Sequence, residues 1–203
     1  MWLAPPFINQ NATTEFAPLK LVIIAHTVSA ECTVFPNCAA ELRVLQSYFA
    51  TYLGYDLPYN FLIGNDGRVY EGRGWNRVGA HTFGYNPCTL SIAFIGDYRE
   101  GLPTYSKVTE LQLMRAQMLL AKGVEHGFLQ SDYHVVGQKD VITTLSPGAN
   151  LYREIQKWKN YNTQYAGMSC KAIHGVIQTS VAAQTETPPP TFKNPTSNQS
   201  SDT

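Results

Sequence analysis

Apolar and polar residues fall into two regimes along the chain. From about Leu21 to Trp158, periodic apolar segments alternate with Gly and Asn turns; from about Asn162 onward Ser, Thr, Gln and Pro take over. The run LVIIAH (Leu21 to His26) is continuously apolar and rich in β-branched residues, which predicts a buried strand. From Ala39 to about Leu53, Leu42, Leu45, Tyr48 (or Phe49) and Tyr52 recur at intervals of three to four, one face of a helix. YNFLIGNDGRVYEGRGW reads as a hairpin in which Asn60 to Ile63 and Arg68 to Glu71 flank Asn65, Asp66 and Gly67, residues that tolerate positive φ. LSIAFIG (Leu90 to Gly96) is a second buried strand. Val108, Leu111, Met114 and Met118 predict a long helix over Lys107 to about His126, with Gly123 and Gly127 as places to end. Val135 and Val136 suggest a short strand, and Leu151, Ile155 and Trp158 mark one face of a last helix after Pro147 and Gly148. The expected fold class is α/β, a mixed central β-sheet flanked by helices.

The expected domain is 1–161. The remaining 162–203 is poor in large apolar groups and rich in Ser, Thr and Pro, and is expected to be disordered, unless Cys170 tethers its start to the body.

Lys plus Arg and Asp plus Glu both total 15, so no global field draws the chain toward nucleic acid or an anionic bilayer. No apolar stretch approaches the roughly 20 residues that span a membrane, and Met1 is not followed by a secretory-type segment. Cys32 and Cys38 sit in a loop-like ECTVFPNC segment where a small disulfide ring closes easily. Pairing of Cys88 with Cys170 stays open. Sequons at Asn11 and Asn198 would suit a secreted glycoprotein.

The residues alone offer no complete catalytic set: HExxH, paired CxxC, GxxxxGK and GxSxG are all absent. Of the five histidines, His26 ends a predicted strand and His81 lies in the loop-like GAHTFGYN, where α/β sheets present functional side chains. For each the alternative is a histidine held by nearby backbone, an even alternative at His26 and the lesser one at His81; His126, His134 and His174 are read that way. Tyr59, Arg73, Trp75, Thr82, Tyr85 and Asn86 add aromatic rings and fixed polar groups, a composition suited to a carbohydrate or peptide cleft. For Tyr59 and Trp75 a place in the core is an even alternative.

The strings VIIAHT, YNFLIGNDGRVYEGRGW, GAHTFGYN, SIAFIG and SPGANLYREI, in this order and spacing, resemble the peptidoglycan recognition proteins, whose fold is similar to that of the type 2 N-acetylmuramoyl-L-alanine amidases. WLAPP resembles the opening of the same family, so the likeness covers about Trp2 to Trp158. Family enzymes hold a catalytic zinc with two histidines and a cysteine, aided by a tyrosine. The resemblance puts those ligand positions at Ala25, Gln138 (in GQKD) and Ser146 (in TLSPG), while the tyrosine survives as Tyr59. It therefore implies no zinc, no other cofactor and no amidase activity.

The positions that line or support the muropeptide cleft in relatives match His26, Thr27, Tyr59, Arg73, Trp75, His81, Thr82, Tyr85 and Asn86. This resembles the non-catalytic insect-type receptors that sense bacterial peptidoglycan in innate immunity. The implied partners are muropeptides and other recognition domains, or a second copy of the chain as a dimer. The alternative is a regulator or decoy that has lost ligand as well as metal. In relatives that prefer diaminopimelate-type peptidoglycan, the arginine of GRGW, here Arg73, pairs with the extra carboxylate. A Gly-Trp pair that accompanies it reads Gly54-Tyr55 here, with one residue fewer before Tyr59. Such a domain is expected outside the cell or on a receptor ectodomain, with a short intracellular form as the other reading.

Overall fold

The computed structural model describes Trp2, Ala4 and residues 16–175. Five strands form one sheet: β1 (Leu19–His26), β2 (Phe61–Ile63), β3 (Val69–Glu71), β4 (Thr89–Phe94) and β5 (Leu129–Gly137), in the order β3-β2-β4-β1-β5. β1 runs parallel to β4 and β5, and β2 parallel to β4; only the hairpin partner β3 is antiparallel. The sheet is thus mixed, as expected. Helices cover both of its faces, so β1 and β4 are apolar almost throughout and do not alternate.

Helix α1 (Phe35–Tyr48) packs Cys38, Ala39 and Leu42 with Leu57, Leu62 and Ala25 on one face. On the other, α2 (Glu110–Glu125) and α3 (Ala149–Ile155) bury Ala116, Leu120, Leu151 and Ile155 against the strands. α1 starts four residues before Ala39, because Pro36 suits a first helical turn. It gives way to a π-helical turn, Phe49–Leu53, closed by Gly54 at φ 73°. The last aromatic residues lie off the inner face, Tyr48 being 52% and Tyr52 73% exposed.

α2 also departs from its expected phase. Leu111, Met114 and Met118 face solvent, while Gln112, Ala116, Leu120 and Gly123 are buried. Small residues win the inner face because Trp75 and Leu129 lie against it: a β-carbon on Gly123 would stand 2.8 Å from the Trp75 ring. The helix opens with a Thr109–Gln112 capping box. The same Gln112 donates to the Tyr98 hydroxyl at 2.8 Å, which places it inside.

β5 is longer than its two valines foretold. Its residues 130–134 are exposed or half-buried beside a register break in β1, so no hydrophobic pattern marks them. The folded part also continues past the expected boundary at residue 161. Asn162 N–H donates to Val135 O, α4 (Cys170–Ile173) follows, and Ile173 is buried. Disulfides join Cys32 to Cys38 and Cys88 to Cys170. The rest of the tail, with Asn198, and the sequon at Asn11 lie outside the described residues.

Candidate functional site: a neutral ring at the strand ends

β1, β2, β4 and β5 all finish at one edge of the sheet, at His26, Ile63, Phe94 and Gly137, and there the segment after β5 meets the stretches that lead into β2, with Tyr59, and into β4, with His81 and Thr82. Contacts run round this edge in a closed circuit. The Tyr59 hydroxyl donates to His26 O at 3.4 Å. His26 N–H donates to Ser146 Oγ at 3.2 Å, and Ser146 O accepts from Lys139 N–H at 2.8 Å. Gln138 then donates to His81 O at 2.6 Å and to Thr82 Oγ1 at 3.3 Å. Ala80 N–H closes the circuit by donating to Pro58 O, next to Tyr59.

Electrostatics keep this ring uncharged. The His26 ring is buried, and Nδ1 accepts from Tyr98 N–H at 3.1 Å, so the remaining hydrogen sits on Nε2. Burial pulls its pKa down to about 4; Asp97 opposes this, and Arg99 adds a smaller push downward. Asp97 is itself clasped by Arg99 through two carboxylate oxygens. Burial, with a lesser push from Arg73, holds His81 down to about 3, and its Nε2 has no partner among the described residues. Tyr59 is pushed up to about 12 by burial and then by Tyr55.

The nine residues expected at a cleft divide in two. His26, Tyr59, His81 and Thr82 belong to the circuit, and Thr27 and Asn86 support it. Thr27 Oγ1 accepts from Gly96 N–H at 3.0 Å, and Asn86 Oδ1 accepts from the N–H groups of both His81 and Thr82. The structure does not bring Trp75 there: its ring stacks on Phe128 and tilts against Phe61, and it lines a separate concavity of about 1050 Å³ along the outer edge at β3. Tyr85 is buried in the main core, its hydroxyl accepting from Gly167 N–H at 2.8 Å.

Arg73 faces inward. Its Nε donates to Leu57 O at 2.7 Å, Nη1 to Val78 O at 2.8 Å and Nη2 to Asp56 O at 3.2 Å. Burial draws its pKa down, and Asp56 and then Tyr55 oppose that.

Tyr55, which stands with Gly54 in place of the Gly-Trp pair, is 37% exposed, and the sequence reading passed over two exposed apolar side chains beside these segments, Phe83 at 94% and Leu145 at 68%. Their signal was adjacency, since Phe83 follows Thr82 and Leu145 precedes Ser146. Among the described residues, no three His, Cys, Asp or Glu side chains gather where a metal could be held.

Comparison with known proteins gives the class of this sheet and its ring, an amidase-type domain. Residues 15–149 match the family model described as N-acetylmuramoyl-L-alanine amidase. A peptidoglycan recognition protein of Trichoplusia ni is 46% identical over 145 residues, 71% of this chain and 77% of that protein. The X-ray structure of Apis mellifera PGRP-SA superposes with a TM-score of 0.73 at 40% identity, covering 79% of this chain and 94% of that one. The ectodomain complex of PGRP-LCa and PGRP-LCx bound to tracheal cytotoxin matches with a TM-score of 0.74 at 39% identity, covering 80% and 95%. The chain belongs to the peptidoglycan recognition protein family.

Proposed function

We propose that this chain is a non-catalytic recognition domain that binds peptidoglycan fragments at the ring of His26, Tyr59, His81, Gln138 and Ser146. The carrying observation is the chemistry at the three positions that the resemblance assigns to a metal. The Ala25 methyl has no lone pair to offer. Gln138 commits its amide N–H groups to His81 and Thr82, and the un-ionised Ser146 hydroxyl already accepts from His26 N–H. That donor set does not fit zinc, which takes thiolate, imidazole or carboxylate. No hydrolytic step follows from it.

What remains is suited to holding a ligand. Neutral amides and hydroxyls meet sugar hydroxyls, acetamides and peptide bonds, while Tyr55 and Phe83 offer flat faces. A solved relative is the PGRP-LCa and PGRP-LCx ectodomain complex with tracheal cytotoxin, which supports both a muropeptide ligand and a second recognition domain as partner. Two disulfides support an oxidising, extracellular setting, and no helix among the described residues is long and apolar enough to cross a membrane.

Calorimetric titration of diaminopimelate-type and lysine-type muropeptides at about 0.1 mM protein tests the reading, since that concentration still registers weak ligands. Heat with either supports it. A second reading, a ligand-free regulator that pairs with other recognition domains or with itself, is favoured by Phe83, a large apolar ring left almost wholly in water. Silence with both muropeptides decides for the regulator.

A further inference from the structure

The geometry points to a second binding surface, the outer edge of β3, which takes an extended acidic segment of a partner protein as an added strand. Gly64 N–H donates to Arg68 O and Gly72 N–H to Asn60 O, and Leu62 stands opposite Tyr70, so Arg68, Tyr70 and Gly72 are the positions bonded to β2. By the alternation of an antiparallel pair, Val69 and Glu71 turn their N–H and C=O groups the other way. Glu71 O accepts from Trp2 Nε1 at 2.7 Å, and among the described residues the other three of these groups have no partner. An open strand edge of this kind is a template for main-chain pairing.

The edge lines the concavity of about 1050 Å³ noted above. Phe35, stacked on Tyr70 at 6.4 Å, walls one side, and Trp75 with Arg115 of α2 walls the other. An added strand sends successive side chains to opposite sides, so each wall meets every second residue. The charge around the trough sets the sign of its occupant. Glu71 is the one carboxylate that lines it, against Arg68, Arg77, Arg115 and the inward-turned Arg73. Arg68 is matched by Asp66 and lies over the Phe35 ring. Among the described residues Arg77 and Arg115 make no ion pair, and Arg115 Nε is buried without a hydrogen-bond partner. The chain as a whole has no net charge, so this positive excess is local. None of Val69, Glu71, Arg77 and Arg115 belongs to the circuit at the strand ends, so the surface stands apart from the muropeptide reading.

The test is fluorescence anisotropy of the full chain with a labelled peptide of about seven alternating Val and Glu residues, long enough to run beside β3 and its flanks, against a matched Val and Lys peptide. The Glu peptide should bind at least about tenfold tighter, with the gap closing as salt approaches about 0.5 M. The double variant Arg77→Glu, Arg115→Glu should lose about tenfold or more for the Glu peptide. Val69→Pro removes one outward N–H at an edge position that tolerates proline, and should weaken binding as well. In the unaltered chain, the Val69 and Glu71 amides should exchange at least about tenfold more slowly with the Glu peptide bound. Silence with the Glu peptide up to about 1 mM, equal affinity for the two peptides, or protection falling on His81, Thr82 and Gln138 instead overturns the inference. So does a dimer of the chain alone that Val69→Pro dissolves, since a second copy then occupies the edge.

Discussion

Gln138 donates its side-chain amide to the main-chain carbonyl of His81 at 2.6 Å, joining the turn after β5 to the loop that precedes β4. Gln138 is buried, so nothing but this amide and the neighbouring Thr82 hydroxyl satisfies that corner. Gln138→Ala should therefore lower stability by about 1–3 kcal/mol, the range for stranding a buried acceptor. Urea denaturation with an unchanged m-value would register it. A loss below a few tenths would mean that the loop stands without this tie.

The same geometry makes a metal site recoverable. Ser146 Oγ is bonded to the N–H of the residue after Ala25, and Lys139, next to Gln138, is bonded to Ser146 O, so positions 25, 138 and 146 converge. The triple variant Ala25→His, Gln138→His, Ser146→Cys should hold close to one zinc per chain after dialysis, and cobalt in its place should give thiolate charge-transfer absorption. Elemental analysis on material shown to be folded by circular dichroism is the check. A folded variant without metal would refute the convergence.

Much of this architecture was legible because both faces of the sheet are covered. LVIIAH and LSIAFIG can be continuous apolar runs only where no solvent face exists, and they became the adjacent strands β1 and β4. The phase of α2 was not legible, because close approach of the helix to Trp75 selects Gly123, and Ala116 shares that buried face; neither carries much hydrophobic signal beside the exposed Leu111, Met114 and Met118. The strap beyond residue 161 escaped for a similar reason: its anchors are Cys170 and Ile173, with Tyr161 and Tyr165 only partly buried. At the site, residue identity was readable and direction was not. Arg73 and Trp75 are two apart in GRGW, yet one turns into the protein and the other lies over Phe61 and Phe128.

Stability should depend on pH through His26. Burial lowers its folded pKa from 6.5 to about 4, so the unfolded chain binds the proton first. Above pH 6.5 both states are neutral and the contribution is flat. Between 6.5 and about 4 stability should drop as pH falls, by up to about 1.4 kcal/mol per pH unit for this one group, and level off below. His81, held down to about 3, adds a loss of the same sign that extends lower. Chemical denaturation from pH 7.5 to 4.5 should show the slope, and His26→Gln should reduce it by close to one proton. An unchanged slope in that variant would assign the effect elsewhere.

The two disulfides should not be equivalent. Cys32 and Cys38 are six residues apart, whereas Cys88 and Cys170 are separated by 82. Loop-closure entropy then assigns about 2 kcal/mol to the first and about 4.5 to the second. The longer closure also has a local consequence. Gly167 N–H donates to the Tyr85 hydroxyl, and the His174 ring lies against Cys88 O, so the strap is fastened to the segment that follows His81 and Thr82. Paired replacement of Cys88 and Cys170 by Ser should lower Tm more than replacement of Cys32 and Cys38. It should also open residues 161–175 to limited proteolysis and speed amide exchange in residues 82–88. If the shorter ring proves the more damaging to lose, packing of its buried sulfurs beneath α1, and not chain entropy, sets the ranking.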